Sequence, residues 1–131
     1  MNDKIEAIKK ELKHELCRRE FWNFCLFYDH EFFSKREFLH QIAIGFQQIE
    51  EKKINSLSVS MPPRAGKSYI TSLFCAWVLG RNPTESVMRN TCTATLYLKF
   101  SYDVRTIVKS DKFRLIFPAI YLSDDKANLQ G

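Results

Sequence analysis

Residues 60–68 read Ser-Met-Pro-Pro-Arg-Ala-Gly-Lys-Ser, and this stretch constrains the chain more than any other. Pro62 and Pro63 punctuate the backbone, because proline fixes φ and contributes no amide donor. On one side, residues 56–61 (Ser-Leu-Ser-Val-Ser-Met) predict a short buried strand. On the other, Ile70, Leu73, Phe74, Trp77 and Val78 mark an apolar helical face that Gly80, Asn82 and Pro83 end. A strand, a loop ending in Gly-Lys-Ser and an amphipathic helix therefore follow one another.

That order suits a phosphate-binding loop. Such a loop needs converging backbone N–H groups, a glycine that permits close approach and the partial positive charge of a helix N-terminus. Pro63, Arg64, Ala65, Gly66, Lys67 and Ser68 are the candidate nucleotide-binding residues. Lys67 would reach the β- and γ-phosphates as a point charge, and the Ser68 hydroxyl would coordinate the Mg²⁺ bridging them. The pattern is degenerate, since Met61 stands where the first glycine of G-x-x-x-x-G-K-[ST] belongs. Arg64 reads either as a phosphate sensor or cis arginine finger acting with Lys67 in catalysis, or as an exposed loop arginine.

Hydrolysis also needs acidic residues at the end of an apolar strand. Ala119-Ile120-Tyr121-Leu122 followed by Ser123, Asp124 and Asp125 imitates such a strand. Pro118 before it and Ser123 within it point to a capped turn or surface loop instead.

Elsewhere the pattern is mostly helical. Ile5, Ile8, Leu12 and Leu16 predict an amphipathic helix over 3–19 whose apolar face needs a partner, a core to pack into or, less often, a surface on which the helix docks. Residues 21–33, FWNFCLFYDHEFF, read as a buried aromatic anchor. Ser34 with Glu37 forms a capping-box pattern opening a helix that runs to about Lys53, with Phe38, Ile42, Phe46 and Ile49 on its apolar face. Residues 86–92 predict a second strand, and helices follow over 94–109 and 111–117. Helices alternating with strands predict an α/β architecture.

At 131 residues with 45% apolar content, the chain suits one soluble domain. Twenty Lys and Arg against fifteen Asp and Glu give +5, a surplus suited to polyanions or simply to a solvated basic surface. Cys17, Cys25, Cys75 and Cys92 lack C-x-x-C spacing and read as buried reduced thiols. His14, His30 and His40 are dispersed, so no metal cluster can be assembled from spacing. The charged N-terminus and the lack of a long apolar run argue against a signal peptide or membrane span, and for a cytoplasmic setting.

Three blocks, MPPRAGKS at 61–68, AWVLGRNP at 76–83 and TATLYLKFSYDVRTIVKSDKFRLIFP at 93–118, resemble the large subunit of the terminase that packages tailed-phage DNA. Members of that family tolerate P-P-R-x-G-K-[ST] without the first glycine, which would account for Met61. The resemblance implies a partial P-loop NTPase three-layer fold with parallel strands: an N-terminal helical lead-in at 1–35 and the first portion of the ATPase domain at 36–131. It implies ATP and Mg²⁺ as ligands, with Lys67 and Ser68 as phosphate lysine and magnesium hydroxyl and Arg64 as the γ-phosphate arginine. Phe38, His40 and Gln41 occupy about the position of the family's adenine-contacting segment, though a helix-surface role suits them too.

The complete protein would translocate double-stranded viral DNA and cut it with a C-terminal nuclease, working with a terminase small subunit and a portal protein. Its setting would be the cytoplasm of a phage-infected or prophage-carrying bacterium. The family's acidic strand and nuclease carboxylates would lie beyond Gly131, so the resemblance implies a shortened chain whose unpaired strand edges favour homo-oligomers. Two other readings compete. One is a nucleic-acid or protein interaction module with a vestigial loop; the other is a compact nucleotide kinase or switch ATPase relying on Asp124 and Asp125.

Overall fold

Helical periodicity in the sequence is realised almost throughout. The structure, a computed structural model, describes residues 2–62, 64–82 and 94–118. Among the described residues seven helices form: α1 (Asn2–Arg19), α2 (Phe21–Tyr28), α3 (His30–Ser34), α4 (Phe38–Glu50), α5 (Lys67–Arg81), α6 (Ala94–Lys109) and α7 (Asp111–Ile116). The chain divides into two compact units, Met1–Ile70 and Thr71–Gly131, so α5 begins in the first and continues in the second.

The expected α/β three-layer fold with parallel strands is corrected by this result: the described residues are helical and contain no strand. Residues 56–61 run as an irregular, mostly exposed connection. A strand needs a neighbour to take up its N–H and C=O groups, and no described segment offers one. The apolar side chain of Leu57 instead lies against Gly45 of α4, where a methyl carbon on the glycine would come 3.0 Å from Leu57 Cδ2. The second expected strand, 86–92, lies outside the described residues.

In the first unit the core is largely aromatic and thiol: Cys17, Phe21, Phe24, Cys25, Phe33, Leu39, Ala43 and Ile70 are buried. The aromatic segment 21–33 acts as the expected anchor by folding into α2 and α3, broken at Asp29, whose carboxylate accepts the Phe32 N–H at 3.2 Å and so caps α3. Gln47 of α4 ties the α1–α2 junction, its Oε1 accepting the Phe21 N–H and its Nε2 donating to the Arg19 carbonyl, both at 3.0 Å. These bonds satisfy backbone groups that a helix end leaves unpaired.

Two local expectations also change. The stripe on α1 does not reach a core: Ile5, Ile8, Leu12 and Leu16 are 49–60% exposed, and Cys17 is the buried residue of that helix. Its solvent-facing ladder includes Arg18 and Arg19 bonded to Glu15 at 2.8 and 3.1 Å, and these guanidinium groups hold the Glu15 carboxyl below its usual range. Ser34 does not open α4. It ends α3 and donates to the Glu31 carbonyl, while α4 starts after Glu37 and buries Leu39 and Ala43 rather than the exposed Phe38.

In the second unit, Leu73, Ala76 and Trp77 of α5 are fully buried, as are Phe113 and Ile116 of α7. Ser110 caps α7 by accepting the Phe113 N–H. Gly80 lies inside α5 instead of ending it, and an added methyl carbon there would meet the Phe117 ring at 2.6–2.8 Å. Its lack of a side chain serves a close approach.

Candidate functional site

The loop before α5 has an uncommon backbone. Arg64 adopts φ +64° and Gly66 φ +103°, whereas Ala65 between them does not take a positive φ. Alternation of sign along successive residues is the kind of conformation that turns neighbouring N–H groups toward one concavity, where an anion can sit. Arg64 occupies a left-handed region that a side chain of this size visits at a cost of about 1–2 kcal/mol. At Gly66 the glycine is required twice over, for its φ and for its space. A methyl carbon there would lie 2.9 Å from Phe32 Cζ, 3.1 Å from Phe32 Cε1 and 3.4 Å from Leu39 Cδ1.

Immediately after Gly66, α5 begins. Its first backbone bond runs from the Ile70 N–H to the Gly66 carbonyl at 3.0 Å, so the N–H groups of Lys67, Ser68 and Tyr69 lie ahead of the helical ladder's first donor. Together with the helix dipole they make a partial positive pole. Lys67 and Ser68 stand exposed on this first turn, and Arg64 is exposed beside it with no ion pair among the described residues. Met61 and Ala65 are half-buried, Pro62 is exposed and Pro63 lies outside the described residues. Charge, first-turn amides and a hydroxyl thus meet over five consecutive residues, 64–68.

The loop is held from beneath by residues that the sequence reading did not single out. The Tyr69 hydroxyl donates to Asp29 Oδ2 at 2.8 Å, and its ring lies 4.9 Å from that of Phe32 and 5.5 Å from that of Phe33. Burial, with the Asp29 carboxylate beside it, pushes the Tyr69 phenol well above its ordinary range, so it stays a neutral donor. Phe32 is itself fixed: the Arg36 guanidinium covers its ring at 3.9 Å and donates to its carbonyl at 3.1 Å. The signal available in the sequence was the position of Tyr69 directly after Lys67-Ser68. Its partner, 40 residues earlier, could not be read from spacing.

His40 and Gln41 sit apart from this arrangement. His40 is exposed and stacks on Trp22 at 4.8 Å between ring centroids, and the two line a cavity of about 290 Å³ with Glu20, Ile44, Gln48 and Glu51. No residue of 61–68 contributes to it. Gln41 and Phe38 are exposed on α4.

For a Mg²⁺ ion the donor set is spare. No group of three or more His, Cys, Asp or Glu is placed to hold a metal among the described residues, and Asp124 and Asp125 lie outside them. Ser68 offers a hydroxyl on the first turn of α5. That suits an ion which arrives on nucleotide phosphates and keeps most of its water, since Mg²⁺ commonly takes only one or two ligands from the protein. Cys17 and Cys25 are not candidates: burial raises Cys17 to about 11 and raises Cys25 well above its ordinary value. No family description, curated protein or solved structure matches this chain.

Proposed function

We propose that residues 64–68 bind the β- and γ-phosphates of ATP, and that the chain is an ATP-binding N-terminal portion of a phage terminase large subunit. The observation that carries the binding claim is local. A loop with positive φ at Arg64 and Gly66 runs straight into a 15-residue helix whose first turn exposes Lys67 and Ser68. None of these features requires a sheet. The terminase origin is supported separately, by the three sequence blocks at 61–68, 76–83 and 93–118.

In this reading the amides of the first turn receive phosphate oxygens, and Lys67 places its ammonium on the β- and γ-phosphates. Arg64 stabilises charge that develops on the γ-phosphoryl group. Mg²⁺ would be held by Ser68 and the nucleotide itself, and when bound it neutralises charge across the phosphates. No group of three or more His, Cys, Asp or Glu is placed to hold a metal among the described residues, and binding without efficient hydrolysis is the expected behaviour. In the complete terminase the same site would power translocation of double-stranded viral DNA through the portal, with the small subunit as a further partner.

Equilibrium titration with ATP and Mg²⁺ tests the binding claim. Wild type should saturate below millimolar ATP, and Lys67→Ala should bind at least about tenfold more weakly, the loss of one charge-assisted contact. Equal binding by the two proteins, or none by either at millimolar ATP, refutes it. A protein-interaction module is a second reading, favoured by the solvent-exposed Ile5, Ile8, Leu12 and Leu16 on α1. It predicts partner binding that is indifferent both to ATP and to Lys67→Ala.

A further inference from the structure

Lys67 and Ser68 lie between two pinned points. On their N-terminal side, Gly66 rests on the ring of Phe32. On their C-terminal side, Tyr69 is bonded through its hydroxyl to Asp29 and enclosed by Phe32 and Phe33. Both pins lead back to one carboxylate. Asp29 Oδ1 accepts the amide of Phe32 while Oδ2 accepts the hydroxyl of Tyr69, so the residue that sets Phe32 at the start of α3 also holds Tyr69.

Helix geometry gives this clamp a consequence. Successive residues of an α-helix are turned by about 100° around its axis, so fixing the azimuth of Tyr69 fixes those of Ser68 and Lys67. Without the Asp29 bond Tyr69 keeps its ring contacts with Phe32 and Phe33 but loses the fixed point at its hydroxyl, and helix termini otherwise fray.

Resting on the ATP-binding reading above, we propose that Asp29 and Tyr69 are positioning residues of the phosphate site: through the Asp29–Tyr69 bond, the lead-in helices α2 and α3 orient Lys67, Ser68 and the first-turn amides toward the nucleotide. Neither residue touches the phosphates. Their contribution is preorganisation, which appears as affinity because the turn need not be ordered when ATP arrives. The helical lead-in is thereby a working part of the nucleotide site.

The test compares ATP affinity with thermal stability across six proteins, wild type, Lys67→Ala and four further variants, at a temperature where each keeps its full helical circular dichroism. Tyr69→Phe retains the ring and removes only the hydroxyl, and should weaken ATP binding roughly three- to tenfold. Asp29→Ala should weaken it at least as much. Asp29→Asn can still accept from Phe32 and bond the tyrosine hydroxyl, and should stay within about twofold of wild type. Gln47→Ala also removes hydrogen bonds of the first unit, one part-buried and one exposed, but those of the α1–α2 junction. It should lower the thermal midpoint and leave ATP affinity unchanged.

The proposal is overturned if Tyr69→Phe binds ATP like wild type while Lys67→Ala does not. It is equally overturned if Gln47→Ala weakens ATP binding as much as Tyr69→Phe, since general destabilisation would then explain both. Should wild type and Lys67→Ala bind alike, the ATP-binding reading fails and takes this inference with it.

Discussion

Gly66→Ala is the substitution that most directly tests why the loop has its shape. Two independent costs arise. The backbone cost follows from φ +103°, a conformation that an alanine rarely adopts, and amounts to about 1–3 kcal/mol. The steric cost follows from the 2.9 Å and 3.1 Å separations between the new methyl carbon and the edge of the Phe32 ring. Phe32 cannot easily yield, because Arg36 stacks on its face and Phe33 and Tyr69 meet it at 5.0 and 4.9 Å between centroids. Overpacking of this kind costs about 1–3 kcal/mol. Against them stands the smaller unfolded-state entropy of alanine, about 0.4–1 kcal/mol in favour of the variant. The net expectation is a destabilisation of about 1–6 kcal/mol, a large share of a typical domain's stability.

Urea unfolding followed by far-ultraviolet circular dichroism measures this, with ATP titration in parallel. A double-mutant cycle with Phe32→Leu separates the two costs. Replacing the ring relieves the overlap but not the backbone strain, so Gly66→Ala should cost about 1–3 kcal/mol less in the Phe32→Leu background. A Gly66→Ala protein with an unchanged urea midpoint would show that neither the positive φ nor the contact with Phe32 governs this loop.

The other two glycine contacts predict opposite signs. At Gly45, inside α4, the obstructing atoms are the methyls of Leu57, a side chain 36% exposed on an irregular segment; Gly45→Ala should be neutral or stabilise by up to about 1 kcal/mol by thermal denaturation. Gly80→Ala should destabilise the second unit by about 1–3 kcal/mol, because the obstructing group is the buried ring of Phe117. For pH, the folded Cys17 thiol titrates near 11 against 9.0 for an ordinary thiol, so the folded state holds its proton more tightly. The associated stability is complete below pH 9 and is lost as pH rises from 9 through about 11; Cys25 shifts in the same direction. Urea midpoints should therefore fall across that window, less steeply in Cys17→Ala, and a flat profile would argue against buried thiols.

The loop makes its tight turn without the first glycine of the general motif. Met61 replaces the first glycine of the general pattern, yet Met61 and Pro62 lie upstream of the residues that change the sign of φ. Positive φ at Arg64 and Gly66 reshapes the backbone immediately before α5, so the tight turn does not depend on a glycine at 61. The cost is carried by Arg64, an uncommon occupant of the left-handed region, placed where its charge would meet an anion. Strain concentrated at such a residue is characteristic of functional loops.

Local pattern alone determined the helices whose apolar residues recur at helical spacing. The ranges expected at 3–19, 94–109 and 111–117 match α1, α6 and α7 within a residue, because periodicity and caps act within a few residues of chain. Gly-Lys-Ser at the start of α5 was legible for the same reason. The segment 21–33 was legible as buried but not as two helices, since a nearly continuous apolar run has no period to read.

What only the tertiary structure decided is which surfaces meet. The stripe of α1 has helical spacing but stays exposed, and residues 56–61 have a strand-like composition but no strand to pair with among the described residues. Gly80 looked like a helix terminator and proved to be a seat for Phe117. Asp29, unremarked within the aromatic segment 21–33, holds Tyr69 at the foot of the candidate site. Periodicity encodes the conformation of a segment, whereas its partner is chosen by packing between residues tens of positions apart, and spacing along the chain carries no record of that choice.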